Sequence, residues 1–429
     1  MKIKQVKIKG LYGYLDFNVN FNSNMTFLIG INGSGKTSVL NAITWVLTPS
    51  LKKLVDNKFE KIVIKIENQG HIEVIKVYKD LNKDKIIFNR SERSIELPLE
   101  VKDNDFRESY FDTNKKALEF INNLPPTPMF LPLDRIRFSK KPPTIRRVRV
   151  SRSRTVRRRY NTIDNSLKEI LNLVEKFYRE KNTELNKYNE ELRKQLVLST
   201  FRYHKKEMSN PWSMEEVKKK RKIIKRAMNS LGIFETEQKN NYFDNFFDEL
   251  EKVAIKLDSK NKTKEDEKIT DEMFEWLINS PQIQRINDLI DLIKEYNKNK
   301  EELFSEISLF LEVINSFFGD TNKNIEFDKT GEIVVEFQNE ARSVNMLSSG
   351  ERQLLIIFAH LFFDVDKSNS LIYMVDEPEL SLHLKWQNQF AKFLRKASPD
   401  SQFILATHSP EIVNGNNENV IEVHPEGGF

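Results

Sequence analysis

The chain has 429 residues and no cysteine, which excludes disulfide scaffolds, cysteine nucleophiles and cysteine-ligated zinc or iron–sulfur sites. Hydrophobic residues make up only 39%, a low share that indicates an elongated, solvated part of the chain. The first residues alternate lysine with other residues, and no apolar run approaches the ~18 residues of a membrane span. We therefore expect a cytoplasmic protein without a signal peptide or membrane contact.

The net charge of +6 comes from one basic segment, residues 135–160. Twelve residues from Arg135 to Arg159 are basic and none is acidic, so the rest of the chain carries −6. Arginine binds phosphate groups bidentately, which predicts a nucleic-acid contact here. The candidate contacts are Arg146, Arg147, Arg149, Arg152, Arg154, Arg157, Arg158 and Arg159. A solvated loop or a clamp on an acidic partner explains the same composition.

Strand patterns dominate the N-terminal part, 1–134. Alternation predicts strands over 2–8 and 14–21, and an apolar run predicts a strand over 25–29. Further strands are predicted over 62–66, 72–78 and 129–133, and a helix over 37–46.

Between the strand at 25–29 and the helix lies Gly30-Ile-Asn-Gly-Ser-Gly-Lys-Thr37, which has the spacing of a phosphate loop. Its backbone N–H groups and the following helix N-terminus favour phosphate oxygens. We expect Lys36 to neutralise the β and γ phosphates and Thr37 to bind Mg²⁺. The predicted nucleotide-binding residues of the loop are Gly30, Asn32, Gly33, Ser34, Gly35, Lys36, Thr37 and Ser38.

The middle of the chain, 161–320, has a helical pattern. Residues 165–206 contain neither glycine nor proline, and apolar residues recur there and over 282–318 at helical spacing. Two long helices predict an inserted helical or coiled-coil arm that leaves a globular head and returns; an ordinary helical domain is the alternative. The polar stretch 256–270 is predicted to be a link.

Strand and helix patterns alternate again over 321–429. Strands are predicted at 324–327, 332–337, 370–375 and 402–406, and helices at 350–363 and 387–397. Because this alternation occurs at both ends of the chain, we expect one α/β ATPase-type head assembled from 1–134 and 321–429.

Three short motifs in the C-terminal part contain residues that could take part in binding or catalysis. An apolar strand ends in Asp376 and Glu377, which predicts Mg²⁺ binding by the first and activation of the attacking water by the second. A strand followed by a turn is the alternative. The motif Ser348-Ser-Gly-Glu351 alone predicts a helix N-terminus, and His408 is a lone histidine after a strand.

The order of these motifs resembles that of the ABC-type ATPases. Residues 347–351 resemble the ABC signature, with Ser349 in place of a usual glycine and Glu351 where many transporters have glutamine. Residues 378–383 resemble the D-loop, and His408 resembles the switch histidine. The resemblance implies a P-loop head that binds ATP and Mg²⁺ and forms a head-to-tail homodimer or higher homo-oligomer. It also implies that the catalytic residues are Glu377 and His408, the metal ligands Thr37 and Asp376, and the nucleotide contacts made in trans Ser348, Ser349, Gly350 and Glu351.

The long insertion narrows the resemblance to the SMC, RecF and OLD branch. The sequence motifs around Asp376, Ser348 and His408 are similar to those of stand-alone anti-phage ATPases such as PtuA of Septu and AriA of PARIS. Only 21 residues follow His408, too few for the Toprim domain of an OLD nuclease, and no glutamine of the Q-loop is identified near 129–137. These observations predict an ATPase sensor and scaffold of a defence complex that controls a separate nuclease or toxin. A RecF- or SMC-like DNA-repair or chromosome ATPase and a nucleotide-locked scaffold with little turnover are the alternatives.

Overall fold

The computed structural model describes residues 1–48, 51–68, 70–80, 85–90, 93–98, 128–131, 162–199, 201, 212–230, 237–260, 271–328, 330–363 and 372–425. They form two compact units, one of Met1–Lys176 with Leu309–Phe429 and one of Phe177–Ser308. The basic segment 135–160 lies outside the described residues. The predicted domain limits at 134, 160 and 320 stay a prediction.

The first unit is an α/β head that contains every described strand. The strands are β1 (Lys2–Leu11), β2 (Leu15–Asn20), β3 (Met25–Ile29), β4 (Lys61–Asn68), β5 (His71–Asp80), β6 (Lys85–Arg90), β7 (Arg93–Pro98), β8 (Met129–Leu131), β9 (Lys323–Phe327), β10 (Ile333–Phe337), β11 (Glu340–Arg342), β12 (Ile372–Asp376), β13 (Gln402–Ala406) and β14 (Val420–Glu422). Its complete helices are α1 (Lys36–Leu47), α2 (Leu51–Asp56), α7 (Ser349–Phe363), α8 (Leu384–Ala397) and α9 (Pro410–Val413).

A parallel five-stranded sheet, in the order β14-β3-β13-β12-β8, forms the centre of the head. In its register Leu28 lies beside Ala406, and Ala406 lies beside Asp376. The strands are nearly all apolar and buried, as expected for a parallel sheet covered on both faces. The carboxyl ends of β3, β12 and β13 therefore meet at one edge of the sheet.

An antiparallel six-stranded sheet, in the order β2-β1-β4-β5-β6-β7, shares a hydrophobic core with α1 and the parallel sheet. In β4 the inward residues Ile62, Ile64 and Ile66 are fully buried and alternate with residues that retain exposure. On α1, Val39 and Ile43 are one helical turn apart in the same core. This packing fixes the start of α1 relative to the end of β3.

The second unit is helical, and the predicted helical insertion is confirmed. It contains α4 (Met214–Ser230) and α5 (Glu237–Lys260), together with most of α3 (Thr162–Ser199) and α6 (Asp271–Phe318). Tyr296 donates a hydrogen bond to Asn189 at 2.7 Å, and Tyr178 packs edge-on against Phe304, so α3 and α6 are antiparallel here. No described helix has both the length and the apolarity needed to cross a membrane.

The elements match most of the sequence predictions, with two differences in the arm. The polar stretch 256–270 was predicted to be a link, but α5 continues to Lys260, and 261–270 lie outside the described residues. The strands at Met25–Ile29 and Gln402–Ala406 have the predicted limits. A helix starting at residue 282, after Pro281, was predicted, but α6 begins at Asp271 and continues through that proline. Trp276 and Ile283, on either side of it, are buried in one core, and this packing offsets the hydrogen bond that a proline removes.

Candidate nucleotide-binding site

The phosphate loop, residues 30–37, lies between β3 and α1 at the carboxyl edge of the parallel sheet. Gly30 and Gly35 have φ angles of 150° and 98°, a region that glycine adopts without steric cost. A Cβ at Gly30 would approach Ser34 Oγ to 2.6 Å, and a Cβ at Gly35 would overlap the ring of Phe17. The packing around the loop therefore requires glycine at both positions.

Lys36 is buried and lies over the loop. Its Nζ donates to the carbonyl oxygens of Gly30 at 2.9 Å and Ile31 at 3.3 Å, and it lies 2.7 Å from Nε2 of His408. Burial lowers the pKa of Lys36, and the negative charges of Glu377, Asp376 and Glu379 partly offset this effect. The ammonium group is thus positioned where the phosphate loop and the end of β13 meet.

Thr37 and Asp376 face each other across this edge. The Thr37 hydroxyl donates to Asp376 Oδ1 at 3.1 Å. Burial raises the pKa of Asp376, the hydrogen bond from Thr37 lowers it, and the neighbouring Glu377 carboxylate raises it. A hydroxyl beside a carboxylate supplies the oxygen ligands that Mg²⁺ prefers, and a divalent cation would favour the ionised form of Asp376.

Glu377 leaves the strand in a left-handed conformation, with φ 51° and ψ 52°. This conformation is costly for a residue with a Cβ and is concentrated at functional sites. Its N–H donates to the carbonyl of Ala406 at 2.8 Å, and Pro378 begins a short 3-10 turn directly after it. Glu377 directly follows Asp376 at the carboxyl end of β12, and its negative charge raises the pKa of both Lys36 and Asp376.

The switch loop, residues 407–409, follows β13. The exposed His408 contacts Lys36 as described above, whereas Thr407 is fully buried. The switch loop donates hydrogen bonds to two residues that the sequence motifs did not single out. Thr407 and His408 donate to Glu379, and Ser409 donates to Gln387. Both acceptors lie more than 20 positions from the switch loop in the sequence, so only the fold reveals the contact.

The signature turn, residues 347–351, lies at the N-terminus of α7. Ser348 and Ser349 are exposed, whereas Gly350 is buried and a Cβ on it would lie 2.5 Å from the Ser381 carbonyl oxygen. Glu351 is 1% exposed; it pairs with Lys323 at 2.8 Å and accepts hydrogen bonds from Thr321 and the Ser348 N–H. With Ser348 it forms a capping box, so within one chain Glu351 stabilises the turn. A nucleotide contact by Glu351 stays a prediction.

The structure thus brings together Lys36, Thr37, Asp376, Glu377 and His408. Among the described residues, no hydrogen bond joins the signature turn to this group. A second observation fits a bound phosphate: Ser34 Oγ is buried in the loop with no hydrogen-bond partner among the residues described. The loop, the lysine and the Thr37–Asp376 pair suit a nucleoside triphosphate with its Mg²⁺. The eight arginines predicted to bind nucleic acid lie outside the described residues.

Comparison with known proteins places this geometry in a family. A family model described as an AAA ATPase domain matches residues 1–413. Among curated proteins, the probable ATPase of retron Vc95 from Vibrio cholerae is 28% identical over 45% of this chain and 40% of its own length. The chromosome partition protein Smc of Bacillus subtilis is 26% identical over 63% of this chain and 23% of its own.

A third relative is the endonuclease GajA of Bacillus cereus, 29% identical over 31% of this chain and 22% of its own length. The chain therefore spans less than half the length of these curated relatives.

Proposed function

We propose that this chain, which belongs to the AAA ATPase domain family, hydrolyses ATP as the sensor and scaffold subunit of a bacterial anti-phage defence complex. The observation that carries the ATPase part is the meeting of Lys36, Thr37, Asp376, Glu377 and His408 at the ends of three parallel strands. Charged and hydroxyl groups at this edge are suited to phosphoryl transfer to water.

Each residue has a distinct task in the proposed reaction. Lys36 and the loop N–H groups bind the phosphates, while Thr37 and Asp376 hold Mg²⁺, which neutralises phosphate charge when bound. Glu377 orients the attacking water and accepts its proton, and His408 contacts the γ-phosphate. Because Lys36 Nζ and His408 Nε2 lie 2.7 Å apart, one phosphate group is within reach of both side chains.

The proposed site is completed by a second copy of the chain. The exposed hydroxyls of Ser348 and Ser349, at the N-terminus of α7, would donate to the γ-phosphate held by the partner. ATP then holds the dimer together, and its hydrolysis releases it. A homodimer or a higher homo-oligomer satisfies this arrangement.

The defence role rests on relatives and motifs. The similarity to a retron ATPase and the motif resemblance to PtuA and AriA favour a complex in which a separate protein is the effector. GajA is named an endonuclease, which favours a nuclease over another toxin. The basic segment 135–160 is the proposed contact for nucleic acid.

A DNA-repair or chromosome ATPase is the second candidate, and the similarity to Smc over 63% of the chain favours it. Such a protein needs no toxic partner and is stimulated directly by DNA. A nucleotide-locked scaffold differs from both by retaining ATP with little turnover.

The test is to express the chain together with its native neighbouring genes and to purify it. The proteins that co-elute are then identified, and the mass of the complex is measured. The ATPase rate is then measured with and without DNA. A nuclease or toxin in the complex supports the defence function. A bare homodimer whose ATPase rate rises with DNA contradicts it in favour of repair or chromosome maintenance, and very slow turnover with retained nucleotide favours the locked scaffold.

A further inference from the structure

Glu379, in the D-loop segment 378–383, has a carboxylate with no role in the scheme above. One oxygen accepts a hydrogen bond from the Thr407 hydroxyl at 2.7 Å, and the other accepts from the backbone N–H of His408 at 2.6 Å. Hydrogen bonds to an ionised acceptor are shorter and about twice as strong as neutral ones. Glu379 therefore fixes the switch loop at the residue that faces Lys36.

Gln387, a buried residue near the start of α8, forms a second connection between the D-loop segment and the switch loop. Its Oε1 accepts from the Ser409 hydroxyl at 2.6 Å, and its Nε2 donates to the Leu382 carbonyl at 2.7 Å. The D-loop segment and the switch loop are thus connected by hydrogen bonds at three successive positions of the switch loop.

The contact continues from the switch loop into the nucleotide site. Glu379 holds the backbone of His408, and the ring of the same residue lies 2.7 Å from Lys36 Nζ. A displacement of that backbone moves the imidazole relative to the position of the γ-phosphate. Misplacement of a reacting group by about 1 Å can cost ~100-fold in rate.

The D-loop segment also touches the signature turn. The carbonyl oxygen of Ser381 lies so close to Gly350 that a Cβ there would be 2.5 Å away. Between these contacts Leu380 remains 75% exposed, an apolar side chain at the surface. One short segment therefore contacts the switch loop through Glu379 and the signature turn through its backbone.

We propose that Glu379 is a positioning residue that holds His408 in the orientation required for ATP hydrolysis, with Gln387 supporting it. The inference rests on the proposed ATPase function. It adds that the D-loop segment sets the geometry of the switch histidine within the same chain.

The test compares Glu379→Ala and Glu379→Gln with the wild type. Alanine removes both acceptors, whereas the glutamine oxygen can accept from the His408 N–H and its amide can donate to Thr407. Glu411→Ala is the matched control, because Glu411 accepts a hydrogen bond from Asn388 of α8 and, in the part of the chain that the structure describes, forms none with a switch-loop residue. The measurements are made on the full chain. They are the rate of hydrogen exchange of the His408 amide, kcat, ATP affinity and Tm.

We expect Glu379→Ala to accelerate exchange at His408 and to lower kcat by ~10- to 100-fold with ATP affinity and Tm unchanged. Glu379→Gln should restore most of both, and Glu411→Ala should match the wild type. Wild-type exchange at His408 or wild-type turnover in Glu379→Ala overturns the proposal, as does a glutamine variant as slow as the alanine variant. If the wild type hydrolyses no ATP, the proposed function fails, while the exchange result still decides whether Glu379 holds His408.

Discussion

In the proposed reaction some residues bind the nucleotide and others act on the water. Glu377, which directly follows Asp376, belongs to the second group, because its carboxylate is assigned to the attacking water and not to the phosphates. We expect Glu377→Gln to lower kcat by ~100-fold or more, since removing a general base typically costs 10²- to 10⁴-fold, while ATP affinity is retained. Phosphate release gives kcat, and titration with a fluorescent ATP analogue gives affinity.

Lys36→Ala is the control, because it removes the buried ammonium group from the phosphate loop. It should abolish nucleotide binding as well as turnover. Normal turnover in Glu377→Gln would contradict the role of Glu377 in activating water.

The sequence predicted the grouping of these residues unevenly. Lys36, Thr37, Asp376 and Glu377 could be placed at one edge of the sheet because each lies at a fixed position in a local motif after a strand, and their chemical roles stay a prediction. Glu379 was not found as a partner of the switch loop, since its donors lie 28 and 29 positions away and no local pattern encodes that pairing. The sequence also gave no signal for the left-handed backbone conformation of Glu377.

Among the elements, α7 depends on a buried ion pair at its N-terminus. Lys323 on β9 neutralises Glu351, whose side chain is 1% exposed. Breaking a buried pair by removing one partner leaves an uncompensated charge. We expect Lys323→Met to lower the free energy of unfolding by ~3 kcal/mol, measured by urea denaturation.

The pH dependence follows from the Glu351 carboxylate. Although burial raises its pKa, hydrogen bonds from Lys323, the Ser348 N–H and Thr321 lower it, with a net decrease. The ionised form therefore stabilises the fold above the unfolded-state pKa, and this is lost as the pH falls through the folded-state pKa. The difference between Lys323→Met and the wild type should shrink as the pH falls and the Glu351 carboxylate becomes protonated in both folded proteins.

Lys9→Met is the matched control, since Lys9 pairs with Glu60 at the surface, where both side chains are more than 60% exposed. Exposed pairs contribute little, so its stability should equal that of the wild type. Equal stability of Lys323→Met and Lys9→Met would show that the buried pair does not hold α7.

Element limits were predictable where local signals decide them. The strands β3 and β13 are short apolar runs bounded by polar residues, and both were predicted to the residue. The start of α6 was not, because Pro281 is a local stop signal whereas the burial of Trp276 and Ile283 is a tertiary effect. The six-stranded order β2-β1-β4-β5-β6-β7 also depends on pairings that alternation alone does not specify.

On the scale of the whole molecule, the two ends of the chain build one sheet. Phe27 of β3 pairs with Leu405 of β13 on one side and with Val420 of β14 on the other. Alternating elements at both ends predicted this assembly, since neither half alone completes a parallel sheet. The edge that carries the candidate nucleotide site therefore exists only when both ends are folded together, and the insertion Phe177–Ser308 forms its own unit.

The exposed signature turn predicts that two chains associate in the presence of ATP. If Ser348 and Ser349 bind the γ-phosphate of a partner, ATP should hold two chains together whenever hydrolysis is blocked. We expect Glu377→Gln with ATP and Mg²⁺ to have twice the monomer mass in light scattering, and the monomer mass without ATP. Adding Ser349→Arg should abolish this dimer, because a bulky side chain at an exposed position would occupy the phosphate-facing surface.

Ser349 lies at the start of α7 and forms no hydrogen bond to the described phosphate loop of its own chain. The arginine variant should therefore still bind ATP as a monomer. This retention separates a contact made in trans from damage to the site made in cis. A double variant that dimerises with ATP would contradict the role of the signature turn. A double variant that no longer binds ATP would contradict the assignment of this turn to the partner's nucleotide.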